Sequence, residues 1–243
     1  METKFVIIQE SSNQELLGAN KRPISKAFLP KAQGKSPFEI AVEVNKGLYD
    51  SLMIVGQISN FKYSRSLLMK IGIYNYEEII EACSKNTAAD FAFAAFASSQ
   101  EDVLFVTNPI FSVPVNDYYN NTLRHAKRLA DQGDIVVVDF YKEELSLGKK
   151  DHEDLLQRVY CFKASTFLDE LLKHEPDTYY ATKRAHFKKS GSFINEILND
   201  LIPSHSIEEA VIDKSDKVKG INAFINVNDH YQINNFSSDQ IAS

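Results

Sequence analysis

The sequence predicts an α/β fold built on a mostly parallel, doubly wound sheet. Three observations carry that expectation. Strand-like and helix-like patterns alternate over the first 140 of the 243 residues, the order that sets parallel strands in one sheet with helices on both faces. The strand segments are runs with little polar alternation, such as Ile135–Val138, as strands buried on both faces require. A composition of 44% hydrophobic and 25% charged residues is ordinary for a globular chain, and at this length it supports one large core.

Each element has its own signal. KFVIIQ at 4–9 is a β-branched run placed at the centre of the sheet. Glu10 to Ser25 is polar, with Gly18 and Pro23 as breakers, and reads as a solvated surface loop. Pro37 opens a helical pattern that runs to Leu48, proline being favoured in a first turn. SLMIVGQ at 51–57 is a second strand, SRSLLMKIG at 64–72 a short helix stopped by Gly72, and EEIIEA at 77–82 a third strand. The alanine-rich stretch from Asn86 to Gln100 predicts a buried helix with Asn86 or Thr87 as N-cap. DVLFVT at 102–107 and DIVVVDF at 134–140 are strands on either side of a helix over 117–132. The second half is less regular. RVYCF at 158–162 reads as a strand, Ser165 as the cap of TFLDELLKHE, SGSFINEILNDLI at 190–202 as a helix, and Ser206 with Glu208 and Glu209 as the start of a short one. KVKGINAFINV at 217–227 closes the sheet. With no internal repeat or low-complexity linker, one domain is expected over 1–235, followed by a polar tail at 236–243.

Composition also narrows the function. A net charge of −6 lacks the basic stripe of a nucleic-acid binder, so no nucleic-acid partner is expected. No apolar run approaches the roughly 20 residues of a membrane span, and METKFVIIQE does not read as a signal peptide. These features predict a cytoplasmic protein without membrane contact. Cys83 and Cys161 lack zinc-site spacing and read as two buried small apolar side chains, and the six histidines form no metal or triad pattern.

Four segments, in order, resemble the mannose-1-phosphate guanylyltransferase family of sugar nucleotidyltransferases. SKAFLPKAQGKSPFE at 25–39 is similar to the family's PKQFLPLFGGKSLLQ, and SKNTAADFAFAAFASSQEDVLFVTN at 84–108 to RNTAPAIALAAL followed by the LVLPSDH strand. FKASTFLDELLKHEPD at 162–177 resembles FRASTFLEELKKHAPDIY, and SIEEAVIDKSDKVKGINAFIN at 206–226 resembles SIDYAVMEKTDNVAVVPADFGWSD. The likeness spans residues 4 to 231. It implies the Rossmann-like nucleotide-diphospho-sugar transferase fold, without a C-terminal β-helix or cupin domain. The implied reaction joins a sugar 1-phosphate to a nucleoside triphosphate and releases pyrophosphate, with Mg²⁺ as cofactor. Such phosphoryl transfer is mostly positioning and charge neutralisation.

The chain departs from the family where that chemistry resides. Pairing on Lys26 sets Glu10, Ser11 and Asn13 at the three glycines of the family's GGSGTRLWPLSR loop, and Glu15 at its arginine. Carboxylates there oppose a polyphosphate, and only glycine lets a backbone approach phosphate without strain. Pro109 falls on the first magnesium Asp, of LPSDH. Asn228 falls on the second, of GWSD, with Asp229 one residue late, so a one-residue slip makes Asp229 the remaining metal candidate. Asn228-Asp229 also reads as a plain turn pair. Tyr141 to Gln157 replaces the family's GYGYI and EKP segments, and its Lys149, Lys150 and His152 read as a solvated turn. Residues that survive are nucleotide-side candidates by resemblance. Lys26 matches the lysine of PKQFLP, either as a phosphate contact and residual catalytic candidate or as a surface lysine. Lys85, Asn86 and Thr87 match the RNT motif, where Asn86 and Thr87 would cap a helix with or without ligand.

The expectation is therefore a catalytically degenerate guanylyltransferase-like domain, a binding or regulatory module in sugar-nucleotide and polysaccharide metabolism. Its expected partners are a nucleotide or nucleotide sugar, and itself or an active paralogue. The alternatives are an active transferase with replaced residues, using Mg²⁺, and a self-associating scaffold.

Overall fold

A computed structural model describes residues 1–9, 14–17, 22–30, 34–108, 116–142 and 155–225. Nine strands are formed among them: β1 (Thr3–Gln9), β2 (Gln14–Leu17), β3 (Arg22–Ser25), β4 (Ser51–Gln57), β5 (Glu77–Glu81), β6 (Val103–Thr107), β7 (Ile135–Lys142), β8 (Leu155–Lys163) and β9 (Val218–Ile225). The helices are α1 (Pro37–Val44), α2 (Ile58–Lys70), α3 (Thr87–Phe96), α4 (Asp117–Asp131), α5 (Ala164–His174), α6 (Pro176–Phe187) and α7 (Glu196–Asp200). A 3₁₀ turn covers Lys26–Phe28 and a π-helical turn covers Glu208–Ile212.

Seven strands form one sheet in the order β5-β4-β1-β6-β8-β7-β9. β8 pairs antiparallel with both β6 and β7, and the other four pairings are parallel. Strand alternation divides the core between the faces. Val6, Ile8, Met53, Val55, Leu104 and Val106 pack against α3, α5 and α6. Phe5, Ile7, Leu52, Ile54, Val103 and Phe105 pack against α1, α2 and α4. Every residue of β1 is buried, because parallel neighbours flank it and helices cover both sides. The mostly parallel, doubly wound sheet is therefore as expected, with β1 one strand away from the middle position, which β6 holds.

Helix ends follow the local sequence where a capping side chain is present. Ser36 and Glu39 form a reciprocal capping box on α1, with Pro37 in the first turn. The side chains of Asn86, Asn116 and Asn195 accept backbone N–H bonds at the starts of α3, α4 and α7.

Several expectations are corrected. The Glu10–Ser25 segment contains β2 and β3, which pair antiparallel with Gln14 opposite Ser25, a cross-strand pairing that composition does not signal. α2 begins at Ile58, six residues before the expected start, directly from the end of β4 and with no capping side chain to mark it. Ser165 does not cap α5. The helix starts at Ala164, whose N–H donates to Asp102 O at 3.0 Å, while Ser165 N–H donates to Gln100 O. α6 is an additional helix beyond those expected, with Pro176 in its first turn as the local signal. The helix expected over 190–202 is confined to α7, because residues 192–194 pair instead with the edge of β5. Ile80 N–H donates to Ser192 O at 2.8 Å and Ile194 N–H donates to Ile80 O at 2.9 Å. Cys161 is buried as expected, but Cys83 is half-buried, its thiol donating to Asp200 Oδ1 at 3.3 Å. The tail at 236–243 lies outside the described residues.

Candidate functional site

In an open parallel sheet, ligand chemistry gathers outside the carboxyl ends of the strands. Here the ends of β1 and β6 meet the first turns of α3 and the π-helical turn after Ile207. A cavity of about 100 Å³ lies between them, lined by Ile8, Thr87, Phe91, Thr107, Asn108, Tyr160, Ile207 and Glu208.

Two of the lining residues, Tyr160 and Glu208, belong to a network of four side chains. Asp139 of β7 and Arg158 of β8 are directly opposite across the antiparallel ladder. Arg158 Nε donates to Asp139 Oδ1 at 2.6 Å and Nη2 to Oδ2 at 2.8 Å, the fork geometry that a guanidinium makes with a carboxylate. Its Nη1 donates to Glu208 Oε1 at 3.2 Å, and the Tyr160 hydroxyl donates to the same oxygen. The bond to Asp139 raises the Arg158 pKa above its ordinary value, and burial pushes the Tyr160 phenol well up. Behind them, Gln157 Nε2 donates to Thr107 Oγ1 at 3.0 Å, and Thr107 Oγ1 donates to Arg158 O at 2.9 Å. Asp139 and Glu208 are thus engaged by the Arg158 guanidinium and the Tyr160 hydroxyl.

The sequence-nominated residues divide between two places. Lys85, Asn86 and Thr87 stand together at the start of α3. Lys85 Nζ lies 3.3 Å from Asp200 O and 3.4 Å from its Oδ1, so its charge is directed toward α7. Asn86 holds φ at 70° and its side chain accepts the Thr87 N–H at 2.8 Å. Thr87 Oγ1 accepts the Ile207 N–H at 2.8 Å, and Ala88 N–H donates to His205 O, which fastens the 205–207 segment to α3. Of the three, Thr87 reaches the cavity. Lys26 is exposed in the 3₁₀ turn, whose Phe28 packs on Phe38 and Tyr63 against the α1–α2 face. That is the face opposite α3, so Lys26 and Lys85 belong to different layers.

Glu10, Ser11, Asn13, Pro109, Lys149, Lys150, His152, Asn228 and Asp229 lie outside the described residues, as the metal candidate Asp229 therefore does. The described residues do not fit a hard cation: no group of three or more His, Cys, Asp or Glu is assembled among them. Asp139 and Glu208 are held by Arg158. Glu81, at the end of β5, is 1% exposed, and its carboxyl is raised, chiefly by burial, while a hydrogen bond with Asp90 of α3 opposes the rise.

The sequence reading missed Asp139, Arg158 and Tyr160 as site residues, and took Glu208 only as a first-turn acid. A signal was present. Asp139 interrupts an otherwise apolar run, and Arg158 opens the apolar strand segment that pairs with it.

Comparison with known proteins gives a consistent result. No family model matches the chain. It is 26% identical to mannose-1-phosphate guanylyltransferase 2 of Escherichia coli O157:H7, over 62% of this chain and 41% of that protein. The chain thus spans about two fifths of the length of that curated relative. Among solved structures it is similar to one titled mannose-6-phosphate isomerase from Helicobacter pylori, with a TM-score of 0.73 and 22% identity, covering 91% of this chain and 97% of that one. It is also similar to one titled mannose-1-phosphate geranyltransferase from Thermus thermophilus, with a TM-score of 0.67 and 16% identity, over 93% and 75% of the two chains. A UDP-glucose pyrophosphorylase from acinetobacter baumanii follows with a TM-score of 0.54 and 13% identity, over 92% and 86%. The chain carries the nucleotide-diphospho-sugar transferase fold, and its likeness to the mannose-1-phosphate guanylyltransferases is borne out in sequence.

Proposed function

We propose that residues 1–235 form a single guanylyltransferase-like domain without transfer activity, acting in the cytoplasm as a binding or regulatory module for a nucleotide sugar or its phosphorylated precursors. The observation that carries this reading is the Asp139–Arg158–Glu208–Tyr160 network, whose Tyr160 and Glu208 line the cavity. It supports the reading in two ways. An arginine neutralised by Asp139 and Glu208 has little charge left for a transferring phosphate. The cavity of about 100 Å³ is also small beside the ~300–1,000 Å³ of ordinary ligand pockets. The replaced loop glycines at Glu10, Ser11 and Asn13, and Pro109 in place of a metal carboxylate, support it independently. Each such loss removes roughly two to four orders of magnitude of rate. GDP-mannose and polysaccharide precursors are the ligand class that the sequence likeness favours.

The test pairs turnover with binding. With GTP, mannose 1-phosphate and Mg²⁺, the expected pyrophosphate release is at background, while GDP-mannose or mannose 1-phosphate raises the melting temperature. Mg²⁺-dependent turnover of roughly 1 to 1,000 per second, abolished by Asp229→Ala, would instead make the chain an active transferase with its metal site one residue along.

A further inference from the structure

Glu81, the last residue of β5, is 1% exposed, and Asp90, in the first turn of α3, is 4% exposed. Their carboxyls are hydrogen-bonded to each other. Such a bond needs a donor, and an ionised carboxylate has none, so the pair holds at least one proton.

Little around the pair offsets a second negative charge. Gln57 of β4, opposite Glu81 in the ladder, is uncharged, and α3 carries no basic residue. Glu81 Oε1 has no hydrogen-bond partner among the described residues. Burial pushes the Glu81 carboxyl up to about 7. Cys83 adds to that rise, and Lys85 opposes it, but Lys85 is shared with Asp200 of α7. Glu77 and Glu78, on the same strand, are paired with Lys4 and Arg65.

The pair stands at a joint. Thr87, three residues before Asp90, accepts the Ile207 N–H on its Oγ1 at 2.8 Å, and Ala88 N–H donates to His205 O at 3.1 Å. The His205 ring itself faces Glu175. Glu208, the next residue after Ile207, opens the π-helical turn and lines the cavity together with Thr87 and Ile207. The first turn of α3 therefore carries one wall of the cavity. The Glu81–Asp90 contact ties that turn to the edge strand β5.

We propose that Glu81 and Asp90 act as a proton-dependent latch on the first turn of α3. With the shared proton in place, the turn stays on β5 and holds the Thr87–Ile207–Glu208 wall. Once the proton leaves to solvent, two buried carboxylates repel, and the turn lifts until they reach water. Opened, both carboxyls ionise near the ordinary pH of about 4. The closed form binds more protons, so its advantage is complete below about pH 4 and is lost as pH rises through about 7.

Hydrogen exchange of the full chain, read peptide by peptide, tests the latch. Glu81→Gln and Asp90→Asn each keep the contact, with an amide N–H donating to the remaining carboxylate, and remove the shared proton. Parent and variant are compared at equal pH, which cancels the intrinsic exchange rate. For peptides over 87–92 and 205–212, the parent-to-variant ratio of exchange rates is expected to rise at least about tenfold between about pH 5.5 and 8.5. A peptide from α2, which packs on the opposite face of the sheet, is expected to keep a constant ratio. Because the two variants change opposite sides of the contact, either one that folds is enough to decide. A ratio at 87–92 and 205–212 that does not change with pH, or a rise shared equally by α2, would overturn the proposal.

Discussion

Arg158 and Asp139 face each other across the β7–β8 ladder and are joined by two hydrogen bonds of 2.6 and 2.8 Å. Asp139 is 8% exposed, so this pair holds a nearly buried carboxylate at the carboxyl end of the sheet. Removing one partner of such a pair leaves the other charge without compensation.

Arg158→Ala is therefore expected to destabilise the protein by about 1–3 kcal/mol, below the range for a fully buried pair because the Arg158 side chain is 37% exposed. Urea unfolding would show it as a lower midpoint at unchanged slope. Loss of less than ~0.5 kcal/mol would mean that the pair is only a surface contact.

Asn86 lies in the left-handed region and caps α3 with its side chain. Glycine accepts that conformation and alanine does not. Asn86→Gly should cost only a few tenths of a kcal/mol, and Asn86→Ala about 1–2 kcal/mol. Equal stabilities of the two variants would argue against the strained cap.

Gly56, at φ 155°, sits beside Gln9 where β4 and β1 run side by side, and a Cβ built on it would lie 2.8 Å from Gln9 Cβ. Gly56→Ala should force these two strands apart and destabilise by about 1–3 kcal/mol. An unchanged melting temperature would show that the strand ends yield without cost.

His186, on α6, is 6% exposed, and burial, with Lys189 adding to it, lowers its pKa to about 4. The unfolded chain takes up this proton near pH 6.5 and the folded one near pH 4, so the unfolded state binds more protons in between. Stability is unaffected by this group above pH 6.5 and falls as pH drops toward 4, by about 3 kcal/mol in all. His186→Leu should flatten the stability–pH curve in that window. A curve of unchanged slope there would assign the acid sensitivity to other groups.

The sequence by itself determined the layered architecture. β1, β4, β6 and β7 are short apolar runs alternating with helical patterns, as strands covered on both faces are, and Pro37 and Asn86 mark helix starts from the first turn itself. Such signals are local, so they are legible without the fold. By resemblance the chain also disclosed the family likeness and marked Lys26, Lys85, Asn86 and Thr87. What those four residues do was decided by tertiary structure. Lys85 turns to Asp200, 115 positions away, Thr87 fastens Ile207, and Lys26 falls in the opposite layer. The β2–β3 pairing, the capture of residues 192–194 by β5, and the Asp139–Arg158–Glu208 network were likewise settled by contacts between segments distant in the chain. The physical reason is the same in each case. A backbone donor or a buried charge must find a partner, and which partner lies within about 3 Å is a property of the packed layers and of no single stretch of sequence.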